Sequence, residues 1–437
     1  MSRSAELIAL DRAHIWHPYT QQSTAPTPVP IASGQGAWLK DVEGREYLDL
    51  IASWWVAIHG HAHPVIARAI AEQAMTLEQV IFAGLTHEPA VRLAAGLVKR
   101  LPPGLTRVFF SDDGSTAVEV AMKMACHYWR NLGRQRGRFL VFSGGYHGDT
   151  AGAMSASRSA GFFEGYGSLL FAVDTIPFPA TWDGDAEVEA KEQGALAALE
   201  RFLEEHGASC AAMLIEPLIQ GAAGMRMCRP GFLQGVAERL RAAGVLLIAD
   251  EVMTGFGRCG TLFACELAGI APDMICLSKG LTGGFLPMAV TVCREEIHAA
   301  FLGPTFDRAL AHGHSFTANA LGCAAALASL GLFESEATLQ RVAALEALHR
   351  ERMAALGGRV LAPRVMGAVA AFELRLSDQT YGSAFTPRLI QFFLDRGMII
   401  RPLGAVIYLV PPYGIDHVDL HRGWDVIEEA IDCFSTA

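Results

Sequence analysis

The chain has no CxxC pair, no Walker A motif, no HExxH motif and no block of lysines or arginines. Each absence closes a class. Nine cysteines, an odd count, with several inside apolar stretches (Cys210, Cys276, Cys293, Cys323), read as small buried hydrophobes in a reducing cytosol, not as a disulfide framework. The longest nearly apolar run, Gly322 to Phe333, is too short for a membrane span of about 20 residues. Met1 to Trp16 lacks an apolar core, so no secretory signal is expected. A net charge of −10 argues against nucleic acid or an acidic membrane as partner. The basic stretch Arg130 to Arg138 carries two glycines and reads as a solvated helix end. A soluble, cytoplasmic protein is the expectation.

What is present fits a large buried interior. Hydrophobic residues make up 51% of 437, beyond the roughly 250–300 residues at which one core stops growing, so two domains are expected. Residues 1–60 stand apart. Pro26, Pro28 and Pro30 mark an extended stretch, and Ala37–Asp41 with Tyr47–Leu50 read as a hairpin around Glu43-Gly44. From about residue 61 to 330 short apolar runs alternate with helical patterns. The runs are Arg107–Phe110, Arg138–Phe142, Ala211–Ile215, Val245–Ala249 and Met274–Leu277, and the clearest helix is Thr116–Asn131. This is an α/β pattern with a mostly parallel sheet flanked by helices. Residues 331–437 add helices and the short strands Val369–Leu374, Met398–Arg401 and Val406–Val410.

Ligands of open α/β sheets bind beyond the carboxyl ends of the strands, and four groups fall there. Asp113-Gly114-Ser115-Thr116 offers a close backbone approach and hydroxyls at a helix start, which suits a phosphate; plain helix capping is the bland alternative. Gly144-Gly145-Tyr146-His147-Gly148-Asp149 sets an aromatic between glycines, where it can lie flat on a planar ring or merely pack a turn. Asp250 closes one strand and Lys279 the next. A strand-end carboxylate can keep a ring nitrogen protonated. A strand-end lysine becomes a nucleophile when its amine falls roughly two to three units from about 10.4. Gly255 to Gly260 matches GxGxxG, but the next strand ends in Ser278-Lys279 instead of an acid, so no dinucleotide site is expected. His59, His61 and His63, and likewise His312 and His314, read as structural, with no metal. Jointly the four groups describe a pyridine-ring aldehyde phosphate anchored on Lys279, with Asp250 at its ring nitrogen.

These stretches resemble the fold-type I, class III pyridoxal 5′-phosphate-dependent aminotransferases. The matching segments are Gly60-His61-Ala62-His63-Pro64, Asp113-Gly114-Ser115, Tyr146-His147-Gly148-Asp149, Glu216-Pro217, Asp250 to Arg258 and Ser278-Lys279-Gly280. The resemblance implies a small α+β domain formed by both termini around the large cofactor domain. It implies Lys279, Asp250 and Tyr19 as catalytic residues. Gly114, Ser115, Tyr146, Asp250, Lys279 and Ser315 would hold the cofactor, the Ser315 hydroxyl reaching the other subunit of a homodimer. Tyr19, Trp54, Trp55, Tyr146, Gly313 and Arg401 would meet substrate. A narrower likeness rests on His14 to Gln21, Ser53-Trp54-Trp55, Ala117 to Met124, Ile400 to Gly404 and Ile407 to Tyr413. It implies S-adenosyl-L-methionine as amino donor and 8-amino-7-oxononanoate as acceptor; relatives that use lysine as donor are the alternative. Three positions depart from the pattern. His314 and Ala320 stand where prolines are usual, and Asp113 where a serine is.

Overall fold

A computed structural model describes residues 2–157, 163–376 and 385–435. Two compact units emerge, Val65–Ala343 and a second made of Met1–Pro64 with Ala344–Ala437.

The central unit is built on a seven-stranded sheet. Its order is Leu105–Ser111, Ala289–Arg294, Met274–Leu277, Leu246–Asp250, Cys210–Ile215, Arg138–Phe142, Asp174–Ile176. Only Ala289–Arg294 runs against its neighbours; the remaining pairings are parallel. The middle strands are buried on both faces, which is why they read as unbroken apolar runs rather than alternating ones. The antiparallel strand was not foreseen. The segment from Ser278 to Met288 is too short for a helical crossover, so the chain turns back instead.

The helix Gly114–Asn131 begins where Asp113 accepts from the Thr116 N–H at 2.9 Å. Thr116 Oγ1 returns the favour to the Asp113 N–H, completing a capping box. Ala117, Val118, Val120, Ala121, Met124 and Ala125 pack its inner face into the core. Asp113 therefore caps the helix, which settles the place of that departure. Ala320 opens the helix Ala320–Ser335 behind the N-cap Asn319, the first position, where a proline is tolerated but not required. Gly255–Gly260 forms turns with no helix on it, so it has none of the context of a dinucleotide loop.

In the unit of both termini, the hairpin Trp38–Asp41 and Glu46–Asp49 forms as expected, and Met398–Ile399 adds in parallel beside Glu46–Asp49. A three-stranded antiparallel sheet joins Leu361–Met366, Val369–Glu373 and Val406–Leu409. Trp424 on the last helix is fully buried, stacks on Phe372, and donates through Nε1 to His349 Nδ1 at 3.2 Å. Among the described residues no single helix is long and apolar enough to cross a membrane.

Burial pushes His349 down to about 3 from an ordinary 6.5. The unfolded chain then binds a proton that the fold refuses, so stability falls as pH drops from 6.5 towards 3. The slope from this one group reaches about 1.4 kcal/mol per pH unit. His349→Gln keeps an acceptor for Trp424 without the titration. Denaturant unfolding across that range should show a shallower acid limb for the variant; parallel limbs would contradict the assignment.

Candidate active site

The carboxyl ends of the parallel strands carry one group of polar side chains. Asp250 is the last residue of its strand and is buried. Its Oδ2 lies 2.8 Å from His147 Nδ1, and its Oδ1 accepts from the Val252 N–H at 3.1 Å. The His147 ring is itself buried and its backbone N–H donates to Ser157 Oγ. The carboxylate is thus held from behind by an imidazole, a pairing that only the tertiary fold reveals.

Lys279 follows the strand Met274–Leu277 with φ of 46°. A lysine in this left-handed region carries strain of about 1–3 kcal/mol. Ser278 Oγ donates to Met288 O at 2.8 Å and Gly283, also left-handed, ends the short turn. The residue keeps part of its surface accessible, as a group that meets a substrate needs, while its amine sits deep. Burial pushes the amine below its ordinary value; the Asp250 and Glu216 carboxylates pull the other way, and Arg258 adds to the lowering. This is the environment of a nucleophilic amine.

Glu216, whose role the motif alone did not reveal, accepts from the N–H groups of Tyr146 at 2.9 Å and Gly221 at 3.0 Å. Burial lifts its carboxyl to about 7. It fixes the backbone that carries Tyr146, whose hydroxyl donates to Asp149 Oδ1 at 2.9 Å. Ser115 sits at the start of its helix, with Oγ accepting from the Thr150 N–H at 3.0 Å. Thr150 Oγ1 in turn donates to Glu119 Oε1 at 2.7 Å.

The glycines of this edge test whether a phosphate-bearing cofactor fits. A Cβ on Gly114 would stand 2.6 Å from Val252 Cγ1, and one on Gly148 would stand 2.3 Å from Ser115 Oγ. Both positions are packed so closely that only glycine fits, Gly114 at the start of a helix whose first N–H groups suit an anion. The donors, the carboxylate and the amine fit pyridoxal phosphate. Gly313 and Ser315 are exposed on another loop, where Ser315 O accepts from Gln79 Nε2 at 3.1 Å.

Of the substrate residues expected from sequence, Tyr19, Trp54, Trp55 and Arg401 lie in the unit of both termini, and Tyr146 and Gly313 in the central one. Tyr19 and Trp54 meet edge to face with centroids 5.9 Å apart. The Arg401 guanidinium stands 5.3 Å from the Trp54 ring centre and donates to Tyr19 O at 3.0 Å. Trp55 is placed differently. It is buried and its Nε1 donates to the Tyr408 hydroxyl at 3.2 Å, so it packs the core while Trp54 is exposed. Ala52, Ser53 and Trp55 all have positive φ. The buried Asp49 holds this strained turn: Oδ1 accepts from Ile51 N and Oδ2 from Ser53 N, with His61 Nε2 2.8 Å from Oδ2. That contact gives His61 its structural task. Tyr19 and Arg401 also line a cavity of about 540 Å³ with Tyr47, Pro26 and Ile399. None of the lysine-side residues belongs to it.

Gly148→Ala places a side chain at φ of 127° and against Ser115. It should weaken pyridoxal phosphate binding and cost about 1–3 kcal/mol of stability. Cofactor titration and denaturant unfolding check this; a variant unchanged in both would refute the cradle.

Comparison with known proteins agrees with this geometry. Residues 19–431 match the family described as aminotransferase class III. The adenosylmethionine-8-amino-7-oxononanoate aminotransferase of Synechococcus elongatus is 53% identical over 422 residues, covering 96% of this chain and 98% of its own length. The crystal structure of the enzyme of that name from Methanocaldococcus jannaschii matches with a TM-score of 0.92 at 35% identity, over 99% of this chain and 100% of its own. An (S)-enantioselective ω-transaminase from Thermomicrobium roseum gives the same TM-score at 30% identity, over 99% and 98%. With the fold-type I sheet, the strand-end lysine and the glycine-dependent packing at Gly114 and Gly148 in place, the chain belongs to the class-III aminotransferases, a family dependent on pyridoxal 5′-phosphate.

Proposed function

We propose that the protein transfers an amino group from S-adenosyl-L-methionine to 8-amino-7-oxononanoate, giving 7,8-diaminononanoate in the biotin pathway, as a cytoplasmic homodimer. The observation that carries this reading is the Tyr19–Trp54–Arg401 cluster. Aromatic walls suit both a long aliphatic chain and a sulfonium cation, and a guanidinium pairs bidentately with a carboxylate. The names of the relatives from Synechococcus elongatus and Methanocaldococcus jannaschii point the same way.

Bound pyridoxal phosphate supplies an electron sink and carries the amino group between two ping-pong half-reactions. The chain supplies the rest. Lys279 would anchor the cofactor, and its amine would move the proton at the reacting carbon. Asp250, backed by His147, would keep the ring nitrogen protonated. Tyr146, fixed by Glu216 and Asp149, would cover the ring. The N–H groups at Gly114 and Ser115 would hold the phosphate, and Ser315 would contribute a hydroxyl to the partner subunit's site. Arg401 and Trp54 orient the substrate, and Tyr19 closes its aromatic wall.

The Thermomicrobium roseum likeness favours a second reading, a class-III ω-transaminase with another amine or keto-acid pair. Substrate chemistry separates the two. Supplying 8-amino-7-oxononanoate with S-adenosyl-L-methionine, lysine or alanine in parallel should yield diaminononanoate with the first donor. Product from lysine alone would reassign the donor, and product from none would remove the acceptor.

A further inference from the structure

Ser315 lies on a loop with two histidines that the reaction does not use. His312 Nε2 and His314 Nε2 are 2.9 Å apart, a separation that requires one hydrogen between them. Lys123 Nζ is 3.1 Å from His312 Nδ1, and Asp112 Oδ2 is 3.1 Å from His314 Nδ1. The last contact lies off the N–H axis, so it is a charge–dipole contact and not an aligned hydrogen bond.

The end groups fix the direction of this row. A lysine ammonium has donors only, and a carboxylate accepts. His312 Nδ1 must therefore accept from Lys123, leaving its hydrogen on Nε2 for His314. His314 then carries its hydrogen on Nδ1, facing Asp112. The reverse order would press an imidazole N–H against the ammonium and a bare lone pair against the carboxylate. Burial, then the Lys123 charge and His314, lowers His312 below its ordinary value, while Glu119 opposes them. The Phe109 ring packs beside it.

We propose that His312 and His314 are positioning residues that form a one-way chain from Lys123 to Asp112 and thereby set the place of the Ser315 hydroxyl. Both ends of the chain belong to the phosphate-side segment. Asp112 precedes the N-cap Asp113, and Lys123 is on the helix that Gly114 and Ser115 begin. The loop is fastened from its other side by Gln79, which donates to Ser315 O at 3.1 Å and Thr317 O at 3.4 Å. Residue 314 adds a bond that a proline there cannot make, its own N–H donating to Thr317 Oγ1 at 2.9 Å.

The inference rests on the reading of Ser315 as a phosphate ligand, and the test separates the two. Histidine-selective ¹⁵N labelling of the holoenzyme, assigned with His312→Gln and His314→Gln, should give opposite tautomers: hydrogen on Nε2 of His312 and on Nδ1 of His314. The same tautomer in both rings, or two imidazolium rings at neutral pH, would overturn the chain. Pyridoxal phosphate affinity should fall about tenfold in Ser315→Ala and in His314→Ala, the loss of one hydrogen bond to a charged group. The double variant should be no weaker than Ser315→Ala. Additive losses, or normal affinity in His314→Ala alone, would overturn the positioning role. Normal affinity in Ser315→Ala would instead overturn the phosphate role of Ser315. Thermal unfolding of the apoproteins should be unchanged; a destabilised His314→Ala would make the role structural and overturn the proposal.

Discussion

An amine drawn out of water at the end of a buried strand is the constraint around which the central unit is organised. Desolvation lowers the Lys279 amine, yet three carboxylates close enough to act on it, Asp250, Glu216 and Asp149, favour its charge. Both effects are needed. An amine lowered without limit would be a poor proton carrier, and one left charged would not attack a carbonyl carbon. Burial and the carboxylates thus act on this amine in opposite senses, and Glu216 is itself lifted to about 7 by burial. The strained backbone at Lys279 follows from the same demand. Its φ of 46° lies in the left-handed region, where a non-glycine residue persists only when the surrounding structure holds it.

The same device recurs through the molecule. A buried carboxylate, satisfied by backbone N–H groups, shapes a turn that presents a functional side chain. Glu216 shapes the segment of Tyr146, and Asp49 shapes the strained turn of Trp54. Glu251 accepts from Ala264 and Cys265 N–H at 2.7 Å and is lifted to about 7 by burial. Such groups are costly to bury unless fully bonded. Once bonded, they fix loops at strand ends more firmly than apolar packing does, because hydrogen bonds are directional.

How far the sequence could be read follows from this division. Doubly buried strands leave contiguous apolar runs, so Arg138–Phe142 and Met274–Leu277 were legible to the residue. The strand Ala289–Arg294 was missed although it too is a buried, largely apolar run; the shortness of the turn before it marks only its antiparallel direction. Lys279, Asp250 and the Gly114-Ser115 turn were legible since strand ends and glycines announce themselves. Their supports were not. His147 finds Asp250, Tyr146 finds Glu216 and His61 finds Asp49 only through tertiary folding. Trp54 and Trp55 look alike in sequence, and only the positive φ values between Ala52 and Trp55 send one outward and the other into the core. His314 stood out as a departure, but its meaning needed Asp112 and His312 in space.

The central claim, that the Lys279 amine is the anchor, is open to one direct measurement. Holoenzyme reduced with borohydride, digested and analysed by peptide mass spectrometry should carry the cofactor's mass on Lys279 alone. A mass addition on any other lysine, or none after reduction, would contradict the account.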